Sequence, residues 1–364
     1  MSFVAPADRP RTTHPATSSQ LDWLASQLAL WQSEGLVGPD QARSIVGRYH
    51  VERRLPVTRL LLTLGAVFVG LGVIWLVAAN LNGLSPAARF ATVSIFWLGC
   101  LSVGEVLAAR RGDAARAPKS SALVGAVRLL AALAFGAVVF QAAQSLQVPA
   151  YEPALVGCWA LGALVHAYAV RAVMPLVVAI LAGSTWFLWQ VLAATESGLA
   201  VVVCLLTAGV LGVAVAALHG RWARELGPPW REVGAAFVLG GLFVAALPDV
   251  DANDFEWTTT LVVVVALAGV GAAAAVVLAP NESRLEVLVA AAAAGAAVGL
   301  VLWDAGGDDR VTAGGAAGTV VGVAVYVLVT IGVAVVGALR DSWRLTALAS
   351  AALVVFTTVQ SFSV

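Results

Sequence analysis

The stretch Thr58–Asn80, TRLLLTLGAVFVGLGVIWLVAAN, is long and apolar enough to cross a bilayer, which takes about 20 apolar residues. Ten similar stretches follow it, at 88–109, 122–145, 153–171, 173–192, 198–218, 231–248, 258–279, 284–302, 315–338 and 344–362. The chain of 364 residues is 60% hydrophobic and only 12% charged, whereas a soluble domain has about 25% charged residues. Backbone groups in hydrocarbon must pair within their own segment, so each stretch is assigned as helix. We therefore predict an all-α, polytopic helical membrane protein with about 11 transmembrane helices.

The chain divides in sequence into a cytoplasmic segment at 1–57 and a transmembrane helical bundle at 58–364. Residues 1–19 are rich in Pro, Thr and Ser, a composition typical of disorder. Helical spacing of apolar residues then predicts a short hairpin with helices at about 20–33 and 39–50. Its apolar positions, which form a candidate interaction surface, are Leu24, Leu28, Trp31, Ile45 and Tyr49. A hairpin this small cannot bury a core alone, so it should pack on the membrane surface, the loops of the bundle, a second copy or a partner.

Arginine distribution predicts the orientation of the bundle. The segment before the first span and the even-numbered loops hold most of the basic residues, namely Arg43, Arg48, Arg53, Arg54, Arg110, Arg111, Arg116, Lys119, Arg171, Arg221, Arg224, Arg231, Arg284, Arg340 and Arg344. The odd-numbered loops hold only Arg89 and Arg310 and collect acidic residues instead. We therefore place the N-terminus in the cytoplasm and the C-terminus outside.

Four stretches carry a resemblance to a known family. They are LASQLALWQSEGLVGPDQARSIVGRY at Leu24–Tyr49, LGAVFVGLGVIWLVAANLNGL at Leu64–Leu84, FGAVVFQAAQ at Phe135–Gln144 and WALGALVHAYAVR at Trp159–Arg171. In this order and spacing, over about residues 24–171, the chain resembles the bacterial predicted-membrane-protein family called domain of unknown function twenty-one fifty-seven. The resemblance implies a fold type and the bacterial plasma (inner) membrane, and it implies no activity.

Two ionisable residues inside the spans form a candidate intramembrane polar site. Glu105 lies late in the second span, and Arg128 lies about two turns into the third, at a similar depth. An ion pair between them would spare each an uncompensated charge. The pair would then be a structural clasp, unless Arg128 extends alone to the interface or the two residues serve the passage of an ion or substrate.

Three further polar residues complete that candidate site. His166 lies well inside the fourth span and could relay protons, although a neutral histidine bonded to a backbone carbonyl is the simpler interpretation. Gln141 and Gln144 lie three residues apart in the third span. They would bond between helices or line a polar cavity.

Small residues also recur at close-packing spacing. Gly314, Gly318 and Gly322 make two GxxxG steps, and Gly295 pairs with Gly299. Such spacing lets helix backbones approach each other. We expect packing within the molecule, with a homodimer face as the alternative.

No motif in the sequence fixes a reaction. A GxxxxGK[ST] phosphate loop, an HExxH zinc motif and a GxSxG elbow are all missing from the sequence, and we expect no cofactor, no metal and no nucleic-acid partner. The expected partners are the lipid bilayer and, through residues 20–50, another protein or a second copy. We predict a non-enzymatic scaffold or sensor; a secondary transporter or carrier of lipid or small solutes is the alternative, and an intramembrane enzyme fits least well.

Overall fold

The computed structural model describes residues 14–16, 18–51, 56–80, 85–110, 122–149, 151–220, 222–247, 250, 252–304 and 313–363. Their contacts divide the chain into two units, Met1–Leu61 and Leu62–Val364. The division falls inside a helix, a few residues after the predicted boundary at 57.

The first unit contains a helical hairpin and two short strands. Helix α1 spans Ser18–Ser33 and helix α2 spans Pro39–Val46, while strands β1 (His14–Ala16) and β2 (Tyr49–Val51) pair in parallel. The second predicted helix was therefore too long at its end: it stops before Gly47, a poor helix former, and the β-favouring residues after it enter β2. Of residues 1–19, for which disorder is predicted, the structure assigns 14–16 to β1 and 18 and 19 to α1, and the others lie outside the described part of the chain.

In the part of the chain that the structure describes, eleven helices lie on the eleven predicted spans. They are α3 (Pro56–Asn80), α4 (Pro86–Arg110), α5 (Ala122–Ser145), α6 (Pro153–Ala169), α7 (Val173–Leu192), α8 (Gly198–His219), α9 (Gly227–Ala245), α10 (Thr259–Leu278), α11 (Asn281–Asp304), α12 (Ala313–Leu339) and α13 (Trp343–Ser363). A short 3-10 turn, Arg224–Leu226, precedes α9. The all-helical membrane architecture is thus confirmed.

The number of membrane crossings is not confirmed by length and apolarity. Among the described residues, 8 helices are long and apolar enough to cross a membrane. Two other helices are apolar but too short to be counted. The apolar stretch of α3 whose side chains are described is Leu60–Gly72, and α6 has 17 residues. Helix α9 carries both Arg231 and Glu232 in its second turn.

Helices α5 and α8 lie at the centre of the second unit. Of the apolar stretch of each helix, 61% is buried in α5 and 67% in α8, whereas only 17% is buried in α4 and in α13. Helix α5 packs against α4, α6 and α7, and helix α8 packs against α9, α10 and α11. The outer helices expose large apolar side chains such as Ile95, Val270 and Leu328, which is the surface that lipid covers in a membrane protein.

Aromatic rings packed on glycines fix the contact between α5 and α6. The ring of Trp159 covers Gly136, where an added Cβ would lie 2.6 Å from a ring carbon, and the ring of Phe135 covers Gly162 in the same way. The indole Nε1 of Trp159 also donates a hydrogen bond of 2.8 Å to the carbonyl of Ala132. These contacts join two of the stretches that carry the family resemblance.

The predicted packing of the GxxxG glycines is largely wrong. A Cβ added at Gly295, Gly299 or Gly318 would meet no neighbouring atom within 4 Å, whereas one at Gly322 would lie 3.7 Å from Ala246. The surroundings of Gly314 lie outside what the structure describes. The spacing shows where a backbone could be approached, and it cannot show whether a second helix is there.

Candidate functional site

The side chains of Glu105 on α4 and Arg128 on α5 form a bidentate ion pair. Arg128 donates from Nε to Oε1 and from Nη2 to Oε2 of Glu105, both at 2.8 Å. The Arg128 side chain is 8% exposed and that of Glu105 is 39% exposed. Each carboxylate oxygen accepts one of the two bonds, a geometry that fixes the planes of both groups. The two helices are thereby held together near the loop that joins them.

His166 on α6 lies at the level of this ion pair. On the antiparallel helices α5 and α6, Phe135 contacts Gly162 and the indole of Trp159 bonds to the carbonyl of Ala132. Continued by one further turn, this alignment places His166 of α6 at the same height as Arg128 of α5. Its Nε2 is buried and has no hydrogen-bond partner. The carbonyl bond expected for His166 is therefore not formed by Nε2.

The two predicted glutamines lie away from this ion pair. Gln141 is 13 residues beyond Arg128 on α5, which is about 20 Å along a helix. Gln141 is buried with its Oε1 unpartnered, whereas Gln144 is exposed. The five residues of the predicted polar site thus separate into Glu105, Arg128 and His166 near one end of α5 and the glutamines near the other.

A shallow, open pocket of about 470 Å³ lies where α12 turns into α13. None of the predicted polar residues lines it; its lining is Gly337, Ala338, Asp341, Ser342, Trp343, Thr346, Ala347 and Ser350. The hydroxyl of Thr346 bonds to the carbonyl of Ser342, just before α13, and that of Ser350 bonds to the carbonyl of Thr346.

Sequence reasoning missed a cluster of charges around Glu286, which we call the Glu286 cluster. It consists of Arg231, Glu282, Ser283, Glu286 and Arg340. The Glu286 side chain is 9% exposed and accepts from Arg231 Nε at 2.8 Å and from Arg340 Nε at 2.9 Å. Arg340 also reaches Ser283 at 3.0 Å and Glu282 at 3.3 Å. The cluster joins α9 and α11 to the end of α12.

A second missed network joins α6, α8 and α9 through His219. The Nδ1 of His219 lies 2.6 Å from the carbonyl of Val215, which can only accept, so Nδ1 carries the proton. Its Nε2 then accepts from the hydroxyl of Tyr168 at 2.8 Å, and Trp230 Nε1 donates to the same hydroxyl at 3.2 Å. The ring of Trp222 packs on both Tyr168 and His219. Every polar atom in this network has a partner, which is the pattern of a structural contact.

Contacts between loops show which ends of the helices meet. The Glu286 cluster holds the N-terminal ends of α9 and α11 beside the C-terminal end of α12. At the opposite helix ends, Thr195 donates to the carbonyl of Asp254 at 2.8 Å and Gln360 donates to the carbonyl of Ala246 at 3.1 Å. The arginine-bearing sixth, eighth and tenth loops therefore share one end of the bundle, and the fifth and seventh loops share the other with the end of α13.

The hairpin uses part of its predicted interaction surface for its own packing. Leu28 is 3% exposed, and Leu24, Trp31 and Ile45 are half-buried. Tyr49 is exposed and lies in β2. Because Leu28 faces the interior of the hairpin, it is unavailable to a partner.

The opposite side of α1 carries a second apolar surface, formed by Trp23 and Leu30, which we call the outer strip. Trp23 is 61% exposed and Leu30 is 50% exposed. The two residues are seven positions apart and therefore on one side of the helix, about 140–200° around it from Leu28. Sequence reasoning missed this strip because the more regular spacing of Leu24, Leu28 and Trp31 identified only the inner face.

Metal coordination has no support in the described part of the chain. No group of three or more His, Cys, Asp or Glu side chains is placed there to hold an ion.

Comparison with known proteins adds one finding. Neither the curated proteins nor the solved structures include a match to this chain. Residues 29–176, from within α1 to the first turn of α7, match the model of the family described as predicted membrane protein (DUF2157), which confirms the resemblance read from the sequence.

Proposed function

We propose that this protein is a non-enzymatic membrane scaffold or sensor that binds another protein, or a second copy of itself, through its N-terminal hairpin. The observation that carries the proposal is the outer strip. It adds to one side of α1 an exposed tryptophan, the type of side chain that most often anchors a protein interface, next to an exposed leucine.

The charges of the bundle support a structural role for its interior. Glu105 is occupied by Arg128, and Glu286 is occupied by both Arg231 and Arg340. In the part of the chain that the structure describes, these charged groups therefore pair with each other and are not free to act as acids or bases on a substrate.

The proposed location is the plasma membrane of a bacterium, with the N-terminus in the cytoplasm and the C-terminus outside. The family match supports a membrane protein. The common end of the arginine-bearing loops supports the orientation, since cytoplasmic loops carry an excess of arginine.

The test is site-specific photo-crosslinking in living cells. A photoreactive residue is placed at Leu30, in the outer strip, or at Ala25, an exposed control on another side of α1. We expect a discrete crosslinked protein band from position 30 and none from position 25. Equal labelling at both positions, or none at either, would contradict a binding role of the hairpin.

A secondary transporter or carrier is the second candidate, and one observation favours it. The buried, unpartnered Nε2 of His166 lies level with the Glu105–Arg128 ion pair. Such a group could accept a proton during transport. Proteoliposomes under an imposed pH gradient test this: faster collapse of the gradient with the wild type than with His166→Gln would support carriage, and equal rates would count against it.

A further inference from the structure

Helix α1 is almost uncharged and apolar on two sides. Asp22 is the single charged residue of Ser18–Ser33. One side packs through Leu28 within the hairpin, and the outer strip of Trp23 and Leu30 is exposed. The strip is therefore open to a covering surface, and the length of chain that follows the hairpin limits where that surface can be.

The hairpin is tied closely to the start of a membrane helix. Strand β2 ends at Val51 and α3 begins at Pro56. Consecutive Cα atoms are 3.8 Å apart, so the five intervening steps can span about 19 Å at most. Leu60, Leu61 and Leu64, in the first turns of α3, are exposed apolar residues of the kind that lipid covers. The hairpin is consequently held within reach of the bilayer surface.

We propose that the outer strip lies on the surface of the bilayer that the bundle spans, with Trp23 and Leu30 inserted at the level of the lipid headgroups. The proposal rests on the proposed function, because it assigns the resting cover of the same surface. Tryptophan is favoured at the membrane interface, and a helix with an apolar side can lie there with that side buried by about 5–10 Å.

Short tethering and charge favour lipid over a protein as the resting cover. A surface held at tether distance is present at a high effective concentration, whereas a free partner must be recruited from solution. Arg48 is exposed beside the tether, whose sequence adds Arg53 and Arg54. Basic residues next to a membrane helix are attracted to anionic headgroups.

The experiment measures the contact of single positions with lipid. Full-length protein is reconstituted in nanodiscs of phosphatidylethanolamine and phosphatidylglycerol, with one environment-sensitive fluorophore on Trp23→Cys, Leu30→Cys or the control Ala25→Cys. The native cysteines to be replaced first are Cys100, Cys158 and Cys204. We expect nitroxide-bearing lipids to quench at least half of the fluorescence at positions 23 and 30, and only a small fraction of it at 25.

Two results would overturn the proposal, and they separate it from the proposed function. Labels at 23 and 30 that stay in water, with no quenching by lipid, would show that the strip is uncovered. Labels that are shielded from water but not quenched would show a protein cover, which contradicts docking on lipid and leaves binding through the hairpin intact. A matched pair of charges adds a second measure: Leu30→Glu should abolish quenching at position 23, and Ala25→Glu should not.

Discussion

Replacing Gly234 by alanine should destabilise the bundle, because α8 and α9 touch there through their backbones. A Cβ on Gly234 would lie 2.8 Å from the backbone nitrogen of Val213 and 2.9 Å from the carbonyl oxygen of Gly209. Neither atom can rotate away, so the two helices must separate. Overpacking of this kind costs about 1–3 kcal/mol.

Gly240 provides a matched control on the same helix. A Cβ there would meet no atom within 4 Å. Alanine is a better helix former than glycine by up to about 1 kcal/mol. We therefore expect Gly240→Ala to leave the stability unchanged or to raise it slightly, while Gly234→Ala lowers it by about 1–3 kcal/mol.

The measurement is the free energy of unfolding in detergent micelles, from denaturant titration of the two variants and the wild type. Helix content before unfolding should be the same in all three proteins. If Gly234→Ala were as stable as Gly240→Ala, the close backbone contact between α8 and α9 would be refuted.

Three further changes should have graded effects on the free energy of unfolding. Glu286→Gln should lower it by about 3–5 kcal/mol because two arginines lose a buried partner. The Glu282 side chain is 83% exposed, so Glu282→Gln should cost less than about 1 kcal/mol. Equal losses for the two variants would contradict the central position of Glu286. Arg128→Leu should cost about 1.5–3 kcal/mol, and adding Glu105→Gln should recover part of that loss, so purely additive losses would argue against the ion pair. Trp159→Phe keeps an aromatic ring on Gly136 but removes one hydrogen bond, so we expect the free energy of unfolding to fall by about 1 kcal/mol. A loss as large as that of Trp159→Ala would contradict this account.

Apolar length made the helices predictable because it is a local property. Each of the helices α3–α13 falls on a stretch identified from composition, including the valine-rich start of α10 at Leu261–Val265, since hydrocarbon overrides strand propensity. The hairpin was likewise predicted from spacing, but not the end of α2, where Gly47 and the pairing of β2 with β1 decide the boundary.

Contacts between helices were predictable from the sequence only for helices that follow each other directly in the chain. Glu105 and Arg128 lie on consecutive helices at similar depth, so their ion pair could be suggested from the sequence. Glu286 is 55 residues from Arg231 and 54 from Arg340, and nothing local connects the three. A Cβ on Gly295 would meet no neighbouring atom within 4 Å, because a spacing motif does not specify its partner.

Accessibility of single cysteines in intact cells tests most directly whether the arginine-bearing end of the bundle lies inside the cell and whether α13 crosses the membrane. The positions are Gln32 in the hairpin and Asp341 between α12 and α13, compared with Glu196 between α7 and α8 and Ser361 near the end of α13, all of them exposed. We expect a membrane-impermeant maleimide to label cysteines at 196 and 361 in intact cells, and those at 32 and 341 only after lysis. Labelling of positions 341 and 361 from the same side would contradict the crossing of α13 and the orientation derived from the arginines.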